Sequence, residues 1–171
     1  TTEIYTLSLH DALPILTTNN YQLIMTAEEI MQMAIAEAEK SGTPFGAVIV
    51  KDNEIVERAG NTVEPDADPT CHAEVNVLRK LTTRLKTAAL EPGYILYSTC
   101  EPCAMCAATI FWGGISEIVY GVGASDFEDD YNPNLINMSC EEVINKSPAS
   151  TKIKSGILKE ECKQLHSRFP L

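Results

Sequence analysis

Four residues of the sequence form a pattern that could perform chemistry at a metal ion. His72 and Glu74 stand two residues apart, and Cys103 and Cys106 stand three apart just after Pro102. Residues three apart on a helix share one face, so both thiolates could hold the same ion. One imidazole and two thiolates are typical of catalytic zinc, because a structural zinc is usually closed by four protein ligands. We therefore predict one zinc ion per chain, held by His72, Cys103 and Cys106, with a water or hydroxide at the open position.

Glu74 lies beside the predicted zinc but is not needed as a ligand. Bound zinc lowers the pKa of its water to about 7, so hydroxide is available at neutral pH. A carboxylate next to that water can accept its proton and pass it to a substrate nitrogen and a leaving amine. The sequence therefore predicts Glu74 as the catalytic proton carrier.

Two other interpretations of the cysteines remain open. Cys103 and Cys106 could form a redox pair of the thioredoxin type. That interpretation gives no role to His72 or Glu74. A closed structural zinc would need a fourth ligand, and either Cys71 or Cys100 could supply it.

Alternating helices and strands must position these residues. Thr26 and Glu29 form a capping-box signature, which predicts a first helix that ends at Ser41-Gly42. Short apolar runs predict strands at 45–50, 55–59, 94–98, 118–120 and 152–154. The remaining periodic segments predict helices at 72–85, 102–112, 140–145 and 158–167 and loops at 64–69 and 126–134. His72 and Cys103 thus lie at helix starts, where the helix dipole and unpaired N–H groups favour a thiolate.

This alternation predicts an α/β fold with three αβα layers, in which helices flank a mixed five-stranded sheet. The length of 171 residues is that of one domain. We interpret residues 1–16 as a non-native leader, because LSLHDALPI resembles a translated sequencing adapter, and assign residues 17–171 to a single domain. An ordinary N-terminal arm is the alternative.

Composition and charge disfavour several classes of protein. Acidic residues outnumber basic ones by 24 to 13, and a net charge of -11 opposes nucleic-acid binding, which depends on Lys and Arg contacts to phosphates. The apolar runs fall short of the ~20 residues of a membrane span, so we expect no membrane partner. Six cysteines are too few for a disulfide scaffold and indicate a reducing compartment, which predicts a cytoplasmic protein.

The paired motifs resemble the H-x-E…P-C-x-x-C pattern of zinc deaminases. Residues 26–121 are similar to the cytidine deaminase-like superfamily, in particular to its branch of guanine deaminases, guanosine deaminases and bacterial tRNA adenosine deaminases. The resemblance implies a homodimer and a hydrolytic deamination in which Glu74 carries the proton and ammonia leaves. Relatives with a cysteine ligand have it directly before Ala-Glu. His72 holds that position here, so we expect Cys71 to be a buried neighbour.

The resemblance also implies a set of substrate contacts. It places Asn61 against the base or sugar, Phe45 and Ala47 in a wall that stacks on the base, and Trp112 in a stretch typical of guanine deaminase-like members. Acidic loop residues could contact a purine amino group, namely Asp126, Asp129 and Asp130. Each residue also has a structural alternative: a turn for Asn61, the core for Phe45 and Trp112, and a solvated loop for Asp126.

Different segments favour different substrates. Residues 44–50 and Trp112 are similar to guanine deaminases, and the acidic balance opposes a tRNA substrate. Residues 153–169 resemble instead the final helix of the tRNA enzymes. We expect a small nucleobase or nucleoside, with a guanine-type purine favoured. Deamination of tRNA adenosine to inosine, a cytosine-type pyrimidine substrate and a catalytically silent relative are the alternatives.

Overall fold

The computed structural model describes residues 24–127, 136–148 and 150–170. The leader interpreted at residues 1–16, together with Asp129 and Asp130, lies outside the described residues. The helices are α1 (Ala27–Ser41), α2 (Val63–Asp66), α3 (Ala73–Leu85), α4 (Ala104–Trp112), α5 (Cys140–Asn145) and α6 (Lys159–Arg168). The strands are β1 (Gly46–Lys51), β2 (Glu54–Gly60), β3 (Ile95–Cys100), β4 (Glu117–Val122) and β5 (Lys152–Ser155).

The five strands form one mixed sheet in the order β2-β1-β3-β4-β5. β1 is antiparallel to both β2 and β3, whereas β3, β4 and β5 are parallel to one another. Buried side chains of α3, α4 and α5 pack on one face of the sheet, and those of α1 and α6 pack on the other. The predicted three-layer αβα fold with a mixed five-stranded sheet is therefore confirmed.

Strand direction decides which chain segments meet at the edge of the sheet. The carboxyl ends of the parallel strands β3 and β4 lie side by side, where Cys100 pairs with Val122. Because β1 is antiparallel to β3, its first residue Gly46 lies at the same edge, and Gly46 pairs with Gly60 at the end of β2. The chain segments that follow or precede these four strand ends are thus brought together.

Helix α1 fixes the start of β1 at this edge. The predicted capping box is present: Glu29 N donates to Thr26 Oγ1 over 3.2 Å, and Thr26 N donates to Glu29 Oε2 over 2.8 Å. The helix packs so closely that a Cβ added at Gly46 would lie 2.0 Å from Ala34 O. Glycine is therefore required where the strand passes under the helix, and the position of Phe45 follows from that contact.

Three local features differ from the sequence prediction or refine it. The β1–β2 turn places Asp52 (φ 50°) and Asn53 (φ 63°) in the left-handed region, as a two-residue hairpin loop requires. The predicted loop at 64–69 begins with the one-turn helix α2. Helix α4 begins two residues later than predicted, because Cys103 keeps an extended backbone (ψ 172°) as its N-cap residue. Among the described helices, none combines the length and apolarity that crossing a membrane requires.

Candidate active site

Two helix starts bring three metal-ligating side chains together at the edge of the sheet. His72 is the N-cap residue of α3, Cys103 is that of α4, and Cys106 lies one turn into α4. The Nδ1 atom of His72 lies 3.7 Å from Cys103 Sγ and 3.5 Å from Cys106 Sγ. The three ligand atoms all lie within 4.8 Å of one another.

These distances fit a tetrahedral zinc ion. Zn–N and Zn–S bonds of about 2.0 and 2.3 Å place a nitrogen and a sulfur ligand roughly 3.6 Å apart in tetrahedral geometry. Both nitrogen–sulfur distances at this site are close to that value, and both involve the same imidazole nitrogen. His72, Cys103 and Cys106 are therefore a candidate zinc site with three protein ligands.

The electrostatics of the two adjacent thiols favour a bound cation. The pKa of Cys103 is lowered to about 4, chiefly because Cys106 donates a hydrogen bond to its sulfur. The same contact and burial raise the pKa of Cys106, so one thiol ionises at the expense of the other. Hydrogen bonding to Cys103 also raises the pKa of the His72 imidazole. A divalent cation supplies the charge that lets both thiols ionise together.

Glu74 presents a buried carboxyl next to the ligand cluster. It lies in the first turn of α3 and is only 5% exposed. Its Oε1 accepts a hydrogen bond from Ser98 Oγ over 3.1 Å, and its Oε2 lies 3.5 Å from Cys106 Sγ. Burial raises the pKa of this carboxyl. The side chain is thus fixed beside the three ligand atoms without being one of them.

A cavity of about 870 Å³ lies over the ligand cluster and Glu74. Its volume is within the range of about 300–1,000 Å³ that small-molecule sites occupy. Its walls come from the segment before β1, the β2–α2 turn, the loop between β3 and α4, the segments around β4 and α5, and the residues after α6: Gly42–Phe45, Asn61, Val63, Glu64, Cys100–Cys103, Tyr120, Ala124, Ser125, Ile136–Ser139, Glu141, Glu142, Phe169 and Pro170.

Negative charge dominates the cavity. The charged side chains that line it are carboxylates, those of Glu64, Glu74, Glu101, Glu141 and Glu142. The 13 lysines and arginines of the chain all fall within the described residues, and none of them lines the cavity. An anionic group on a ligand would therefore meet repulsion here, whereas N–H groups would meet acceptors.

Asn61 and Phe45 both lie at the cavity wall. Asn61 N donates to Phe45 O over 3.2 Å, and Asn61 Oδ1 accepts a hydrogen bond from Val63 N over 3.0 Å. This contact orients the side-chain amide, whose Nδ2 is a hydrogen-bond donor. The ring of Phe45 packs edge-on against His166 of α6, with ring centroids 5.7 Å apart. The structure thus brings these two predicted residues together with the zinc ligands and Glu74.

The structure places the other three predicted substrate contacts away from the cavity. Ala47 is fully buried in the core, because the pleat of β1 points its side chain towards α3 and α4. Trp112 ends α4 two turns beyond Cys106, is 74% exposed, and borders a separate surface depression. Asp126 turns back to its own loop, where Oδ2 accepts a hydrogen bond from Gly123 N over 2.9 Å and the carboxylate pairs with Lys159.

Several cavity residues were not predicted from the sequence. Ile136, Met138 and Phe169 reach the cavity from segments with no chemical motif, so only the tertiary fold identifies them. Glu101 stands within the Glu-Pro-Cys motif, which is a signal that the sequence did carry. Its Oε1 accepts a hydrogen bond from Cys140 N over 2.9 Å and thereby fixes the start of α5 at the cavity.

Comparisons with known proteins agree with this geometry. Residues 24–122 match the family described as the cytidine and deoxycytidylate deaminase zinc-binding region. The chain is similar to the tRNA-specific adenosine deaminase of Bacillus subtilis (strain 168), with 37% identity over 150 residues that cover 85% of this chain and 89% of the relative. It is also similar to the guanine deaminase of the same organism, with 40% identity over 106 residues that cover 59% of this chain and 67% of the relative.

Solved structures show the same similarity. One comes from a study of A-to-I editing by tRNA:A34 deaminases at the wobble position of transfer RNA; it is 31% identical, has a TM-score of 0.67, and the match covers 80% of this chain and 97% of that chain. The structure of guanine deaminase from Bacillus subtilis is 38% identical, with a TM-score of 0.56, and the match covers 60% of this chain and 68% of that chain. A guanine deaminase from Nitrosomonas europaea, 21% identical with a TM-score of 0.66 over 99% of this chain and 100% of that chain, shares the fold.

Proposed function

We propose that this chain, which belongs to the cytidine and deoxycytidylate deaminase family, deaminates a small purine. The purine carries no phosphate and is either a free base or a nucleoside. Family membership supports a zinc-dependent hydrolytic deaminase that acts on nucleobases or nucleosides. The choice of a substrate without a phosphate rests on one observation. Five glutamates line the cavity, and none of the lysines or arginines of the chain does.

Four residues at the cavity would have roles in this reaction. His72, Cys103 and Cys106 would hold a zinc ion, which when bound lowers the pKa of a water to about 7 and so supplies hydroxide at neutral pH. Glu74 would accept a proton from the attacking water and donate it to the ring nitrogen beside the amine-bearing carbon. Once the hydroxide has added to that carbon, Glu74 would take the proton of the new hydroxyl and pass it to the leaving amine. Water is consumed, the amine leaves as ammonia, and a carbonyl takes its place on the ring.

Two wall residues would orient the base. Phe45 offers an aromatic surface beside the cavity, and aromatic rings are the usual partners for stacking of a base. Asn61, whose Oδ1 is engaged by Val63 N, would donate from Nδ2 to an acceptor atom of the base. Together they would hold the ring with its amine-bearing carbon facing Glu74.

A guanine-type base suits the acceptors of the cavity. Guanine carries N–H donors on its ring in addition to its exocyclic amine. The carboxylates of Glu64 and Glu141 line the cavity and are acceptors for such donors. The similarity to a guanine deaminase over 106 residues is consistent with this choice.

Deamination of tRNA adenosine is the second candidate. The tRNA-specific relative is similar over 85% of this chain, a longer match than that of the guanine deaminase. Against a tRNA substrate, the lysines and the arginine of α6 already contact neighbouring acceptors. Lys163 Nζ donates to the backbone oxygen of Asp126 over 2.8 Å. Lys159 pairs with Asp126, and Arg168 pairs with Glu39. Paired cations have less to contribute to the contacts with phosphates on which RNA binding depends.

Ammonia release by the zinc-loaded protein distinguishes these candidates. The substrates would be guanine, guanosine, adenine, adenosine, cytosine and cytidine, together with guanosine 5′-monophosphate and an anticodon stem-loop RNA. We expect turnover of an unphosphorylated purine, with kcat/KM at least tenfold higher for the best such purine than for the monophosphate. Turnover of the RNA alone, or equal turnover of the monophosphate, would contradict the proposal.

We further propose that the protein is a cytoplasmic homodimer. All six cysteines lie within the described residues and none of them forms a disulfide, which suits a reducing compartment. The rings of Trp112 and Phe111 contact each other at the end of α4, with centroids 5.3 Å apart and planes tilted by 58°. The large exposed surface of Trp112 is a candidate subunit contact. Sedimentation should give a dimer for the wild-type protein and a monomer for Trp112→Ser. A monomeric wild-type protein would refute the homodimer.

A further inference from the structure

Asn76 is a buried polar residue that takes no direct part in the proposed reaction. It lies on α3 one turn after His72, is 8% exposed, and its backbone N donates to His72 O over 2.8 Å. Its side-chain Nδ2 lies 3.1 Å from Gly60 O, 2.8 Å from Thr62 Oγ1 and 3.0 Å from Cys71 O. Three oxygen atoms around one nitrogen fix the orientation of this amide, because only its NH₂ group can donate.

The three acceptors belong to two segments that each carry a residue of the site. Gly60 and Thr62 flank Asn61 in the β2–α2 turn, whereas Cys71 precedes the zinc ligand His72 in the chain. The backbone joins the same segments once more, where Thr62 N donates to Cys71 O over 2.9 Å. The amide of Asn76 therefore connects, by hydrogen bonds, the turn that carries Asn61 to the start of α3.

We propose that Asn76 is a positioning residue, which fixes the β2–α2 turn relative to His72 and thereby sets where Asn61 holds the base relative to the metal ligands and Glu74. This inference rests on the proposed function, which makes Asn61 a contact to the base. Asn76 does not line the cavity, so it acts through Asn61 and not on the substrate. A shift of about 1 Å in the bound base can cost roughly 100-fold in rate.

A further hydrogen bond connects Thr62 to helix α2. Thr62 Oγ1, which accepts from Asn76, donates in turn to Asp66 Oδ2 over 2.6 Å. Loss of the Asn76 amide would remove one hydrogen bond from each residue that flanks Asn61, and would leave Thr62 held by its bonds to Cys71 O and to Asp66. This provides a measurement that needs no substrate, namely the rate of amide hydrogen exchange in the turn.

The first experiment compares Asn76→Ala with Thr82→Ala in the full-length, zinc-loaded protein. Thr82 is a matched control on α3, since its hydroxyl donates to Leu78 O over 2.9 Å, away from the cavity. We expect Asn76→Ala to bind one zinc, to exchange the Thr62 amide at least tenfold faster, and to lose about 10- to 100-fold in kcat/KM. The Thr82→Ala protein should match the wild type in both measurements.

A double-mutant cycle separates positioning from general stability. If Asn76 acts through Asn61, Asn76→Ala should cost less than twofold in kcat/KM when Asn61→Ala is already present. Equal losses in the two backgrounds, or kcat/KM of Asn76→Ala within twofold of the wild type, would overturn the proposal. If Asn76→Ala does not fold, Thr62→Val removes the 2.8 Å contact to Asn76 together with the hydrogen bond to Asp66 Oδ2, and should lower kcat/KM more than Asp66→Ala, which removes only the latter.

The proposed function and the positioning role of Asn76 can be refuted separately. If the wild-type protein turns over no purine, the proposed function is wrong, and the hydrogen-exchange comparison still decides whether Asn76 holds the turn. Unchanged exchange at Thr62 in Asn76→Ala would overturn the positioning role even in an active deaminase.

Discussion

Replacement of Glu74 by glutamine tests the assignment of the proton carrier. Glutamine has nearly the same shape, and its Oε1 can still accept the hydrogen bond that Ser98 Oγ donates over 3.1 Å. Its amide nitrogen takes the place of Oε2, 3.5 Å from Cys106 Sγ, and can donate to a thiolate there. The substitution should therefore preserve the fold and the metal ligands, and remove only the ability to accept and return a proton.

The expected loss follows from the number of proton transfers that Glu74 performs. General acid–base catalysis by one side chain contributes typically 10²- to 10⁴-fold. Because the same carboxylate deprotonates the water and protonates both the ring nitrogen and the leaving amine, we expect a loss in kcat near the upper end, roughly 10³-fold or more. At about 1.4 kcal/mol per tenfold change, this corresponds to an increase of about 4 kcal/mol in the activation free energy.

The assay is a coupled measurement of ammonia release on protein whose zinc content has been determined by mass spectrometry. Ser98→Ala is the matched control, since it removes the hydrogen bond to Oε1 and keeps the carboxylate. We expect that variant to lose about tenfold or less. Glu74→Gln that retains one zinc and turns over within tenfold of the wild type would refute the role of Glu74. Loss of zinc from Glu74→Gln would instead make Glu74 a ligand.

Three further predictions concern the metal site, pH and packing. By mass spectrometry, Cys71→Ala should retain one zinc per chain, whereas Cys103→Ser should lose it. The reason is that the sulfur of Cys71 lies 3.4 Å from Arg79 Nη1, outside the ligand cluster. Zinc loss from Cys71→Ala would instead support the closed structural site. Burial lowers the pKa of His166 to about 4, so the unfolded chain takes up a proton that the folded chain does not as pH falls from about 6.5 towards 4. The Tm in thermal melts should therefore fall less over that pH interval for His166→Phe than for the wild-type protein. Equal decreases in Tm would refute this prediction. Gly46→Ala should destabilise the protein by about 2 kcal/mol in urea unfolding, because its Cβ would lie 2.0 Å from Ala34 O; an unchanged midpoint would show that α1 can move away from β1.

The elements that carry local signals were predictable from the sequence. The capping box of Thr26 and Glu29 begins α1, and the strand and helix predictions around His72 and Cys103 agree with the structure within about two residues. These features depend on neighbours in the chain, such as a hydroxyl three residues before a carboxylate or the apolar run of β1. The spacing of the two motifs also predicted that His72, Cys103 and Cys106 would meet.

Features that depend on tertiary packing were not predictable. The antiparallel direction of β1 against β3 places Phe45 at the carboxyl ends of β3 and β4, and no local pattern encodes that pairing. The same holds for Phe169, which reaches the cavity only because α6 packs across the sheet. Trp112 shows the converse, since a motif similar to one in relatives lies on an exposed helix end away from the cavity.

Deamination in ¹⁸O-labelled water tests the central claim most directly. The zinc-loaded protein would be incubated with the unphosphorylated purine that it turns over, and product mass and ammonia would be measured together. We expect one ¹⁸O atom in each product molecule, one ammonia released per product, and neither signal from Glu74→Gln. Ammonia release without ¹⁸O in the ring product, or no turnover of any unphosphorylated purine, would contradict hydrolytic deamination at this cavity.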